Sequence, residues 1–193
     1  MISDTKVVAI GGGTGLSTML KGLKLHTHNI TAVVTVADDG GSSGILRSDL
    51  GMLAPGDVRN CVSALAEVDP VMGELLNFRF KDGSLKGHSL GNLFLAALNE
   101  TSSSFDEAVK KFSHLAGVVG TVYPVTNESV TLSALLEDGR LIEGESHIGV
   151  HHDGPKNGIV KLMVNPEKPK AVDGVIKALE KADIIVLGPG SLY

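Results

Sequence analysis

The chain has 193 residues, 42% of them hydrophobic and 20% charged, with a formal net charge of −5. That length suits one well-buried core, and the acidic balance with no basic run argues against nucleic acid as a partner. The single cysteine, Cys61, excludes an internal disulfide and points to a reducing, cytoplasmic setting, no apolar run reaches the roughly 18 residues of a membrane span, and the first residues lack a charged-then-apolar secretion signal.

Lys6 to Ile10 is apolar without alternation, which predicts a buried strand. Gly11, Gly12, Gly13, Thr14 and Gly15 follow. Leu16, Met19, Leu20 and Leu23 then recur at the i, i+3, i+4, i+7 spacing of one helical face. Strand, glycine turn and helix N-terminus together make a phosphate seat. Glycine lets the backbone approach a ligand closely, and the first amides of a helix lack partners while its dipole favours an anion. The loop is neither the dinucleotide fingerprint, whose third glycine would fall at Leu16 or Thr18, nor a Walker A loop, since no Gly-Lys-Ser/Thr follows.

Ile30 to Val36 is a second β-branched strand, completing a right-handed βαβ unit. It runs into Asp38 and Asp39, placing two carboxylates where ligands of open α/β sheets gather. Such acids hold a ribose hydroxyl or a magnesium ion, or act as a base; the plainer reading is a pair of turn formers. Gly40, Gly41, Ser42, Ser43 and Gly44 form a second glycine-rich loop, adding amides and hydroxyls for phosphate oxygens.

Val58, Cys61, Val62 and Leu65 make the next helical face, after Pro55-Gly56-Asp57. Asp57 reads as its cap. Arg59 and Asn60 are candidates for anion contact. Asp69-Pro70 opens a helix through Leu75, Leu76 and Phe78. Gly87-His88-Ser89-Leu90-Gly91-Asn92 is glycine-rich at a helix start, with His88, Ser89 and Asn92 as binding or positioning residues. Ser104 and Glu107 form a capping box.

After Gly120 the texture changes. Residues 121–125, 130–136 and 141–145 read as strands, with Asp138-Gly139 as a hairpin turn. His147, His151, His152 and Asp153 sit in a loop without a zinc spacing, which reads as solvated. Ile159 to Val164 is a strand and Val172, Val175, Ile176 and Leu179 a helix. Ile184 to Leu187 is a buried strand leading into Gly188-Pro189-Gly190-Ser191, a turn that in a doubly wound fold is followed by a helix. The expectation is therefore a chain that continues past Tyr193. The fold class is α/β: a Rossmann-like three-layer αβα sandwich with a mostly parallel sheet and a β-hairpin-rich insertion, in one nucleotide-binding domain.

Taken together, IGGGTGLS (10–17), ADDGGSSG (37–44), PGDVRN (55–60), GHSLGNLFLAAL (87–98) and GPGSLY (188–193) resemble the gluconeogenesis factor family of the CofD-like superfamily. The resemblance spans the whole chain and implies a cytoplasmic protein of about three hundred residues by family likeness. It implies a regulator that binds UDP-sugars such as UDP-N-acetylglucosamine. Such proteins support growth on gluconeogenic carbon sources, cell shape and wall synthesis. The superfamily's other branch, 2-phospho-L-lactate transferase, uses a guanosine nucleotide and a metal; this chain shares its glycine loop and acid pair but departs from it in GGSSG, PGDVRN and GHSLGN. The expected ligand site is thus Gly11–Gly15, Asp38, Asp39, Gly40–Gly44, Arg59, Asn60, His88, Ser89, Asn92, Gly188, Pro189, Gly190 and Ser191. Asp38 and Asp39 would be the catalytic or magnesium-binding pair if the chain were an enzyme. A dinucleotide such as NAD is a third candidate ligand, and self-association stays open.

Overall fold

The computed structural model describes residues 3–67, 69–149 and 158–190. The elements run β1 (Val7–Gly11), α1 (Gly13–Leu23), β2 (Ile30–Val34), α2 (Gly41–Leu50), α3 (Gly56–Leu65), α4 (Pro70–Asn77), α5 (Leu90–Glu100) and α6 (Phe105–Leu115). They continue through β3 (Thr121–Pro124), β4 (Thr131–Leu136), β5 (Leu141–Glu143), α7 (Glu145–Gly149), β6 (Ile159–Asn165), α8 (Asp173–Lys181) and β7 (Ile184–Leu187).

Four strands form a parallel sheet in the order β3-β2-β1-β7. Successive side chains of β1 serve opposite faces, as the pleat requires. Ala9 joins Leu16 and Leu20 of α1, Val58 and Val62 of α3, Leu95 of α5 and Phe112 of α6 in one large core. Val8 and Val33 instead meet Val172 and Val175 of α8. The result is the αβα layering expected from the unbroken apolar strands. Burying Leu16 and Leu20 completely contributes about 1.5–3 kcal/mol each.

The chain leaves β1 through α1 on one face and reaches β7 from α8 on the other. The two strands pair in parallel, and the connections made through them lie on opposite faces of the sheet. That change of face is a topological switch point, where such sheets open a crevice.

A second, antiparallel sheet has the order β5-β4-β6. Its hairpin turns at Gly139, which has φ +85°. This is the anticipated insertion, but residues 121–125 are not part of it: β3 pairs with β2 in the parallel sheet, from Thr31↔Thr121 to Val34↔Pro124. The 40–44 segment is also not a loop, since α2 begins at Gly41. His147 lies on α7 rather than in a loop, and its Nδ1 sits 2.8 Å from the Glu143 carbonyl. His151, His152 and Asp153 lie outside the described residues. Among the described residues no helix is long and apolar enough to cross a membrane.

Candidate functional site

A cleft of about 470 Å³ opens at the switch point, lined by Gly12, Gly13, Thr14, Gly15, Thr35, Asp38, Asp57, Glu145, Pro189 and Gly190. The turn from β1 into α1 needs glycine for two separate reasons. Gly13 has φ +63°, a conformation that L side chains rarely adopt. A Cβ on Gly12 would collide with Thr35 Cγ2 and Asp57 Oδ2, and one on Gly15 would lie 2.5 Å from the Pro189 carbonyl oxygen. The Gly188 amide donates to the Ile10 carbonyl at 2.7 Å, so the 188–190 segment is held against the first loop.

Helix ends around the cleft differ from those elsewhere. Asp69, Ser89 and Ser104 cap α4, α5 and α6 with their side chains. The N-caps of α1 and α2 are Gly12 and Gly40, which offer no side chain, and neither helix has an acid in its first turn. The Gly13 amide of α1 is taken by the Asp57 carboxylate; the remaining first-turn amides and the helix dipole at such an end favour an anion.

The acids have separate tasks. Asp38 Oδ1 accepts from the Gly40 amide at 2.9 Å and its carboxylate faces the cleft. Asp39 turns aside: its Oδ1 accepts from the Ser146 amide at 2.8 Å. Asp57 is not a cap, since the N-cap of α3 is Pro55 and no side chain caps that helix. Burial pushes the Asp57 carboxyl above its ordinary range, the Gly13 amide works against that, the Asp38 charge adds to it and Arg59 offsets part of it. Glu145, brought in by α7, is also pushed up, first by partial burial and then by Asp38, Asp57 and Asp39. Among the described residues no three His, Cys, Asp or Glu side chains are grouped closely enough to hold a metal ion.

The 42–44, 59–60 and 87–92 motifs meet beneath the cleft in a buried polar chain. Ser42 Oγ lies 3.0 Å from His88 Nδ1 and accepts from Asn92 Nδ2 at 3.1 Å. Arg59 Nε donates to Asn92 Oδ1 at 3.3 Å and its Nη1 donates to Asn77 Oδ1 at 2.8 Å. Arg59 is only 8% exposed and is not among the residues lining the cleft. Its guanidinium is pushed below its ordinary value by burial and by Arg79, with Asp57 acting the other way. Ser89 caps α5 by accepting from the Asn92 amide, and Ser43 Oγ accepts from the Gly56 amide at 3.2 Å. These residues position the helices that frame the cleft. Asn60 is half-buried and also absent from the cleft wall.

The structure thus brings Gly12–Gly15, Asp38, Pro189 and Gly190 together and adds Thr35, Asp57 and Glu145, which were not among the expected ligand residues. Thr35 follows β2 directly and Asp57 sits inside PGDVRN, so both had local signals. Glu145 arrives through the second sheet and had none. Ser191 lies outside the described residues. The Cys61 thiol is fully buried and pushed up to about 12, which makes it an inert part of the core. Two other hollows, of about 400 and 410 Å³, flank β3 and hold none of the expected ligand residues.

A doubly wound sheet with a glycine-lined crevice at its switch point defines a class of small-molecule-binding α/β proteins. Residues 7–193 match the family described as 2-phospho-L-lactate transferase CofD. The chain belongs to this CofD-like family, and similarity across its whole length places it with the gluconeogenesis factors. The gluconeogenesis factor of Bacillus subtilis is 47% identical over 191 residues, covering 97% of this chain and 58% of that protein. A relative from Thermoanaerobacterium thermosulfurigenes is 56% identical over 192 residues, covering 100% of this chain and 59% of the other. The crystal structure of protein BH3568 from Bacillus halodurans is similar with a TM-score of 0.92 at 44% identity, covering 99% of this chain and 60% of that one. The chain therefore spans about three-fifths or less of these relatives' length.

Proposed function

We propose that this chain carries the nucleotide-sugar site of a regulatory protein of the gluconeogenesis factor type. The ligand class is a UDP-sugar such as UDP-N-acetylglucosamine, and the biological role is support of growth on gluconeogenic carbon sources and of cell shape and wall synthesis. One observation carries the binding part: α1 and α2, alone among the described helices, begin with neither a side-chain cap from the N-cap residue nor a first-turn acid, and α1 opens into the cleft, where Asp57 holds one of its amides, that of Gly13. A diphosphate suits the remaining first-turn amides of α1. The three cleft carboxylates, with no cation among the described residues of the wall, suit sugar or ribose hydroxyls rather than a bare phosphate. A magnesium ion would enter with the phosphates, since the described side chains form no cage for it.

Isothermal titration tests this reading. UDP-N-acetylglucosamine is expected to release heat, and Gly15→Ala to remove it. Heat from GDP or NAD with none from any UDP-sugar would overturn it in favour of the transferase-type or dinucleotide-binding reading.

The family description also supports a second reading, a metal-dependent transferase resembling 2-phospho-L-lactate transferase. Asp38, whose carboxylate faces the cleft, would then carry the activity. Magnesium-dependent nucleotide turnover that Asp38→Asn abolishes is the result that would promote it.

A further inference from the structure

Four carboxylates gather at the cleft, and backbone amides occupy three of them. Asp38 accepts from Gly40, Asp39 from Ser146 and Asp57 from Gly13. Glu145 is the exception: among the described residues its carboxylate meets neither a hydrogen-bond donor nor a cation. Its charged neighbours, Asp38, Asp57 and Asp39, all share its sign. Folding gains nothing from a carboxylate held there, because partial burial and like charges both disfavour its charged form.

The backbone on both sides of Glu145 is nevertheless fixed. The Gly144 amide donates to the Leu132 carbonyl at 2.8 Å, and Gly144 turns the chain at φ +94°. The Ser146 amide is held by Asp39, and Ile148 is seated in the interior. Glu145 is therefore pinned at its flanks and free at its tip. It is also the one described wall residue that arrives by way of the antiparallel sheet. The others come from the ends of the parallel strands and the starts of α1 and α3.

A free tip of this kind selects a ligand by its chemistry. With a diphosphate on the α1 amides, a further anionic group at Glu145 would be repelled. An ionised carboxylate only accepts, so the ligand must bring donors to it. Sugar hydroxyls are such donors, and O–H bonds to a carboxylate are among the strong ones. The hexose of a nucleotide-sugar carries more free hydroxyls than the ribose.

We propose, on the nucleotide-sugar reading of the cleft, that Glu145 is a specificity-determining residue: it accepts hydrogen bonds from the hydroxyls of the ligand's sugar and so separates a nucleotide-sugar from the bare nucleoside diphosphate. The same carboxylate repels a diphosphate that brings no sugar with it. Discrimination thus combines an attraction for one ligand with a repulsion of the other.

Isothermal titration of the intact protein with UDP-N-acetylglucosamine and, in parallel, with UDP tests this role. Glu145→Gln keeps the size of the side chain and removes its charge. It is expected to weaken binding of the nucleotide-sugar about tenfold, while UDP binds at least as tightly as before. Equal weakening of both ligands, the result expected if Glu145 braced the fold or held magnesium on the diphosphate, would overturn the role of Glu145. So would no change with either ligand, or a parent chain that binds UDP as tightly as the nucleotide-sugar. Each of those results leaves the nucleotide-sugar reading standing. Binding of neither ligand by the parent chain would overturn both together.

Discussion

The Asp39 carboxylate accepts a hydrogen bond from the Ser146 amide at 2.8 Å, joining positions 107 residues apart in the chain. Asp39 lies just past β2 of the parallel sheet, and Ser146 lies in the first turn of α7 beside the antiparallel sheet. The bond therefore ties the smaller sheet to the mouth of the cleft. Gly144 is part of the tie, because a Cβ there would collide with Asp39 Oδ2.

Removing that tie should loosen one wall of the cleft and leave the sheet intact. Asp39→Ala is expected to cost about 1 kcal/mol, the usual worth of a helix-end carboxylate. Hydrogen exchange should accelerate at residues 145–148 while the amides of β1 and β2 keep their protection. Uniform acceleration over both sheets would show that Asp39 supports the whole fold.

The two kinds of glycine on α1 predict opposite outcomes. Gly12→Ala forces a methyl into Thr35 and Asp57, and overpacking of this kind costs about 1–3 kcal/mol. Gly22→Ala meets nothing within 4 Å on an exposed stretch of the same helix. It should stabilise by about 0.5–1 kcal/mol by restricting the unfolded chain. Urea midpoints of the two variants, read against the parent chain, separate these effects.

Asp57 predicts a pH dependence of definite sign. Its carboxyl is pushed above the ordinary value of 3.8 in the fold, so the charged form opposes folding at neutral pH. That cost fades as pH falls through the raised folded value towards 3.8. Asp57→Asn should therefore melt above the parent chain at pH 8, and the gap should close as pH approaches 4. Melting curves across that range check it; a gap that widens towards acid would contradict the burial argument.

The polar chain beneath the cleft predicts a large loss from a small change. Asn92→Ala removes the acceptor for Arg59 Nε and the donor to Ser42 Oγ in a fully buried setting. Bonds to charged groups are worth about 1.5–3 kcal/mol, and a loss of that size is expected. Asn77→Ala removes the second acceptor of Arg59. A double-mutant cycle between Asn92 and Asn77 should give non-additive losses, because both act through one guanidinium.

What could be read from the chain followed how local the physics was. The turn from β1 into α1 was legible because three glycines between an apolar strand and a periodic helix have few other uses. The parallel sheet was legible from strands that do not alternate. The place of β3 was not, because a strand beside a hairpin carries no mark of the sheet it joins. Arg59 reads as an anion contact from its charge alone, and only tertiary packing places it in the interior between two asparagines. Ser42, His88 and Asn92 drew notice as glycine-flanked polar residues, but their joint role depends on α2 and α5 meeting. Glu145 reaches the cleft by the packing of the second sheet, so nothing near it in sequence could signal it.

The glycine N-caps of α1 and α2 have a thermodynamic corollary. A helix capped by its own N-cap side chain is complete without help, whereas α1 and α2 begin at glycines; α1 has the Asp57 carboxylate on its Gly13 amide, and the proposed anion would take the first-turn amides that remain. The proposed ligand, seated there, would act as a detachable cap, and its binding energy would turn into resistance to unfolding. At one hundred times its dissociation constant it would add about 2.7 kcal/mol. Heat tolerance in this protein would then track how much ligand is present, so the chain's own persistence would serve as a readout of that concentration.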